Sequence, residues 1–64
     1  MLTPRETEIL QLCLHGLTNP EITEILKVKK STVRTHLEHI YLKLDVNNRT
    51  EAVVEGIRRG LVEL

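Results

Sequence analysis

The sequence predicts an all-α domain of four short helices with a helix-turn-helix at its centre. Helix-start signatures recur along the chain, the apolar residues fall at helical spacings, and no β-branched residues alternate with polar ones over the length of a strand. Thr3-Pro4-Arg5-Glu6 opens the first helix: Thr3 offers its hydroxyl as N-cap, Pro4 takes the first position, where its missing N–H costs nothing, and Glu6 reaches back. This helix is expected from about Pro4 to His15. Ile9, Leu10, Leu12, Cys13 and Leu14 cover one broad arc, and Gly16 supplies the left-handed residue that ends it.

The second helix, about Asn19 to Leu26, starts on Thr18 with Pro20 in its first turn and Glu21 closing a capping box. Leu17 is placed to staple onto Ile22. Ile22, Ile25 and Leu26 are expected inward, Glu21 and Glu24 outward. Lys27 to Lys30 leaves room only for a tight turn, with Val28 as an isolated hydrophobe. The third helix spans about 30–44. Val33, Leu37, Ile40 and Leu44 recur at spacings of four, three and four, one stripe toward the core. Ser31, Thr32, Arg34, Thr35, His36, Glu38, His39 and Lys43 lie opposite, with Leu42 among them as an exposed hydrophobe. Asp45 tolerates the left-handed conformation that ends a helix. Asn48-Arg49-Thr50-Glu51 caps a fourth helix, about Arg49 to Gly60, with Ala52, Val53 and Ile57 inward.

At 64 residues the chain has one small core. The single Cys13 excludes an internal disulfide, and three His cannot complete a structural zinc site, so no metal and no cofactor is expected. His36 with His39, and Cys13 with His15, read as ordinary surface or packing residues. No apolar run exceeds three residues, as in Leu12–Leu14, so no membrane span is expected; neither is a signal peptide, and the reading is a cytoplasmic protein. An enclosed catalytic pocket is hard to build from so short a chain, and no Ser-His-Asp or paired-carboxylate set falls on one face, so the chain reads as a non-enzyme.

Nine Lys plus Arg balance nine Asp plus Glu, but the balance is uneven along the chain. Residues 1–26 set Arg5 against Glu6, Glu8, Glu21 and Glu24, a net of −3. Residues 27–49 set Lys27, Lys29, Lys30, Arg34, Lys43 and Arg49 against Glu38 and Asp45, a net of +4; residues 50–64 come to −1. The positive charge sits on the turn, the third helix and the following loop, the parts that a helix-turn-helix presents to DNA phosphates. Double-stranded DNA is therefore the expected partner.

Leu2-Thr-Pro-Arg-Glu-Thr-Glu-Ile-Leu10, Gly16-Leu-Thr-Asn-Pro-Glu-Ile22, Ser31-Thr-Val-Arg-Thr-His-Leu37, Lys43-Leu44 and Asn48-Arg-Thr-Glu-Ala-Val53 resemble the LuxR-type (NarL/FixJ, GerE) helix-turn-helix domain of bacterial transcription regulators. The resemblance covers essentially all of residues 1–64. It implies sequence-specific DNA binding with the third helix in the major groove and a homodimer on DNA through the fourth. It also implies that the segment is the C-terminal output domain of a longer regulator, such as a two-component response regulator with a receiver or sensor ahead of it. RNA polymerase is a further candidate partner.

By position, the resemblance carries base reading onto Arg34, Thr35 and Glu38. Phosphate contact falls on Thr32, His36 and Lys43, with Asn48 and Arg49 in the loop, and Lys30 of the basic segment joins this set. Arg donates bidentately to guanine, Thr offers a methyl or hydroxyl, and a carboxylate accepts from cytosine. Thr50, Val54 and Arg58 fall on the dimer face. Four positions depart from the family pattern. Lys29 stands at an N-cap usually held by Ser or Thr, so the third helix is expected to start late, at Ser31, or fray. Asp45 replaces Gly, Thr23 replaces Ala, and Leu42 replaces a polar residue. Two alternatives stand beside this reading: a sigma-factor region 4 module, and a protein-interaction module that has lost DNA binding.

Overall fold

A computed structural model describes residues 1–64. Four helices follow one another, α1 (Pro4–Leu14), α2 (Asn19–Leu26), α3 (Lys30–Leu44) and α4 (Arg49–Arg58), with no strand. Local chemistry starts three of them. Thr3 Oγ1 accepts from the Glu6 amide and Glu6 Oε1 accepts from the Thr3 amide; Thr18 and Glu21 repeat the arrangement on α2. Asn48 Oδ1 accepts from the Glu51 amide at 2.9 Å. α3 differs: Lys29 is its N-cap and makes no side-chain bond, yet the helix begins at Lys30 rather than late. Packing of Val33, Leu37, Ile40 and Leu44, all buried, supplies what the cap does not.

All four helices end alike. Gly16, Lys27, Asp45 and Gly60 take positive φ, and the following hydrophobe donates its amide to the carbonyl five residues back: Leu17 to Leu12, Val28 to Thr23, Val46 to Tyr41 and Leu61 to Gly56. Each of these hydrophobes then packs on the core, as this type of helix end favours. Val28, isolated in the sequence, is such a closing residue. α1 and α4 therefore stop at Leu14 and Arg58, short of the expected His15 and Gly60, because the last turns are spent on this closure.

α3 is the hub, packing against α1, α2 and α4, while α1 also packs on α4. The core joins Leu2, Ile9, Leu10, Cys13, Ile22, Val33, Leu37, Ile40, Leu44, Ala52 and Val62. Two inward assignments fail, Ile57 and Ile25. Ile57 is 45% exposed, and Val53 packs against the core while only half-buried, because α4 approaches α1 through Ala52 and Gly56. A Cβ on Gly56 would lie 2.8 Å from Leu10 Cδ2, and this close approach turns Val53 and Ile57 to the flanks. Ile25 is 55% exposed rather than inward, since α2 packs chiefly on α3 and nothing covers its far side. The end of the chain folds back: Val62 is buried, and Gln11 bonds both the carbonyl and the amide of Glu63.

Candidate nucleic-acid interface

The nine basic side chains divide by what they touch. Arg5 lies 3.5 Å from Glu8, Lys43 2.8 Å from Glu6, and Arg58 and Arg59 both bond Glu55. Arg49 donates to the Leu17 carbonyl at 2.6 Å and to Asn19 Oδ1, tying the start of α4 to the start of α2 and the loop before it. Its charge opposes the upward push that burial gives the Cys13 thiol and the Tyr41 phenol. Lys27, Lys29, Lys30 and Arg34 remain. All four are exposed, none has a carboxylate partner, and they occupy one short segment, the turn and the first turns of α3.

That segment is also the amino end of a 15-residue helix with no side-chain cap and no acidic residue in its first turn. Unpaired amides and the helix dipole make such an end positive, and Lys29 and Lys30 add to it instead of neutralising it. The arrangement costs stability in isolation and suits an anion. Along α3, Ser31, Arg34, Thr35, Glu38 and Leu42 form one exposed stripe opposite the buried Val33, Leu37 and Ile40.

The residues expected at a DNA surface fall into two groups. Lys30, Arg34, Thr35 and Glu38 lie together on the open stripe or at its start, with Thr32 partly covered beside them. His36 is half-buried with Nδ1 turned into the protein and unpartnered, as is Thr23 Oγ1. Lys43, Asn48 and Arg49 are each engaged within the protein, as an ion pair, a helix cap and an interhelical tie. Lys27 and Lys29 join the free cations although only their charge, and no assigned role, marked them in the sequence.

Glu6 explains the difference for Lys43. Its side chain is 3% exposed, bonded to Lys43 Nζ and to the Thr3 amide, with His39 Nδ1 at 3.9 Å. Burial pushes its carboxyl up, but Lys43 and Thr3 outweigh burial and hold it below the ordinary value. A buried carboxylate of this kind keeps its cation. On α4, Thr50, Val54, Ile57 and Arg58 are exposed, Val54 by 52%, and Arg58 is bonded to Glu55 at 2.9 Å.

Comparison with known proteins decides the family. The profile of the bacterial regulatory proteins of the luxR family, GerE, matches residues 1–55. The chain belongs to this family. It is 45% identical over 64 residues to the transcriptional regulatory protein DegU of Brevibacillus brevis, covering 100% of this chain and 27% of DegU. It is 48% identical over 61 residues to the uncharacterized transcriptional regulatory protein YxjL of Bacillus subtilis, covering 95% and 28%. This LuxR-family chain thus spans about a quarter of the length of the curated relatives it matches. Among solved structures, the transcription factor GerE superposes with a TM-score of 0.91 at 37% identity, covering 97% of this chain and 92% of GerE. The response regulator ChrA of a heme-sensing two-component system gives 0.93 at 44% identity, covering 95% and 30%. The all-α architecture with its helix-turn-helix is that of a LuxR-family domain, a family of DNA-binding transcription regulators. No helix is long and apolar enough to cross a membrane.

Proposed function

We propose that this domain binds double-stranded DNA sequence-specifically, with α3 in the major groove, as the output part of a longer cytoplasmic transcription regulator. The observation that carries the reading is the segregation of free charge: every Lys or Arg without a partner lies within residues 27–34, at the amino end of α3. Lys27, Lys29 and Lys30 meet phosphates together with the α3 amides, Thr32 and the outer edge of His36. Arg34, Thr35 and Glu38 reach base edges. Lys43, Asn48 and Arg49 shape the surface from within.

Selection of bound duplexes from a random pool, followed by titration of the selected site against salt, tests this. Three phosphate-contacting lysines give a slope of log affinity on log salt of about −3 per domain. No enriched site, or a slope near zero, overturns the reading in favour of an interaction module.

One such domain contacts few base pairs, so specificity in a genome calls for two copies on half-sites about one helical turn apart. We assign pairing to α4 through Thr50, Val54 and Arg58, with Ile57 enlarging the apolar patch. The patch is far smaller than an obligate dimer interface, so the free domain is a monomer at micromolar concentration and pairs on DNA. Val54→Asp then leaves helicity and single-site affinity unchanged and removes cooperativity on a two-site duplex. A stable dimer without DNA, or cooperativity that survives the substitution, places the interface elsewhere. RNA polymerase remains a candidate partner of the DNA-bound form.

A further inference from the structure

The exposed side of α2 belongs neither to the free cations nor to α4. α2 packs chiefly on α3, and its outer arc carries Glu21, Glu24 and Ile25, all exposed. Leu17, on the loop before it, stands beside them, and these four residues line a shallow concavity. Ile25 is among the largest apolar exposures away from the chain ends.

The concavity is held in shape from three directions. The Leu17 amide donates to Leu12 on α1, the Leu17 carbonyl accepts from Arg49 on α4, and the Thr18 amide donates to Glu21 Oε1 at 2.8 Å. Glu21 is therefore fixed at the rim, and Glu24 has no partner at all. The only cation inside residues 1–26, Arg5, is paired with Glu8. An apolar floor formed by Leu17 and Ile25 and bordered by two exposed carboxylates, one of them fixed, is complementary to a helix with an apolar edge flanked by Lys or Arg.

We infer that this α2 surface is a docking site for a basic amphipathic helix of a partner protein, separate from both the DNA surface and the α4 patch. Its apolar edge lies on Leu17 and Ile25, and its cations pair with Glu24 and Glu21. The site is small, so binding is weak and transient, with a dissociation constant of about 0.1–1 mM for an isolated helix, as expected for an area well below the ~1,200 Å² of stable complexes.

The test needs no DNA, so its outcome is independent of the DNA-binding reading. The isotope-labelled domain is titrated, with NMR detection, with a capped synthetic helix of about 18 residues, Leu on one edge and Lys or Arg elsewhere, long enough for helicity by the measure of isolated peptides. A second peptide keeps the Leu edge and replaces the cations by Glu. The basic peptide is expected to give saturable shifts centred on Leu17, Glu21, Glu24 and Ile25, and the acidic one none there. Glu24→Lys and Ile25→Ser should each weaken binding about threefold to tenfold, the scale of a lost surface ion pair or small apolar contact. Both positions are exposed and outside the capping box, and an unchanged amide spectrum elsewhere verifies folding. Glu8→Lys, the same charge change on α1, should leave binding unaltered. Absence of saturable binding, shifts centred on α4 instead, equal binding of both peptides at α2, or affinity that survives Glu24→Lys and Ile25→Ser would each overturn the proposal.

Discussion

In its first turns α3 exposes Lys30 and Arg34 with no carboxylate to hold them, whereas toward its end Lys43 bonds Glu6 at 2.8 Å and His39 lies 3.9 Å from the same side chain. Both ends belong to one helix and the side chains are of the same kind, but nine residues of helix turn Lys43 about half a revolution away from Arg34. What separates them is α1, which places a buried carboxylate against the end of α3 and nothing against its beginning. The first end leaves its charge unpaired within the domain; the second is bonded to α1. A positive residue on α3 is thus not in itself a free charge, and the neighbour that neutralises it has to be located first.

The largest effect that tests this contrast is on stability. Glu6→Ala removes the acceptor of the Thr3 amide and the partner of Lys43 together, and should cost about 2–4 kcal/mol in chemical denaturation. Because the Glu6 carboxyl titrates below its ordinary value in the folded domain, its contribution is complete above the usual carboxylate range and drains away as pH falls through the folded value. Glu6→Gln should therefore flatten the loss of stability between neutral pH and about pH 3, the acid side of the ordinary Asp and Glu values. A wild-type and a Gln variant with parallel pH profiles would show that Glu6 is not a charged anchor.

At the free end the effect moves to binding. Arg34→Ala should leave the melting curve within about 0.5 kcal/mol of wild type and weaken binding to the selected site by about 1–3 kcal/mol, with relaxed preference at one base pair. Equal weakening on selected and random duplexes would reassign Arg34 to phosphate. Smaller still is the paired comparison of Lys30→Ala with Lys43→Ala. The first should lower the salt slope by about one unit; the second should leave the slope unchanged and cost stability, about 1–2 kcal/mol, moderated by the water around its exposed side. A slope that falls equally in both would mean that Lys43 abandons Glu6 on DNA.

The smallest effect is at Lys27, which holds a left-handed φ of 57° that glycine adopts without strain. Lys27→Gly should raise stability by about 0.5–1 kcal/mol while lowering the salt slope. If stability rises and the slope stays, Lys27 does not face DNA.

Four helices, three of their starts and the inward stripe of α3 were legible in the sequence alone, because capping and helical periodicity are set by residues within about four positions of one another. Thr3 with Glu6, Thr18 with Glu21, and Asn48 ahead of Glu51 are interactions of that range. So is the excess of charge in residues 27–49. Only the tertiary structure decided which of those charges is free. Lys43 meets Glu6 across 37 positions, Arg49 meets Leu17 across 32, and Gln11 meets Glu63 across 52. No spacing rule relates such pairs. The same holds for α4, where periodicity pointed Ile57 inward, but Gly56, having no side chain, let Leu10 come so close that its own face became the buried one. Ile25 has the spacing of a core residue and no helix to cover it. Periodicity specifies a side chain's direction around its own axis, and whether anything stands in that direction depends on where the other helices pack.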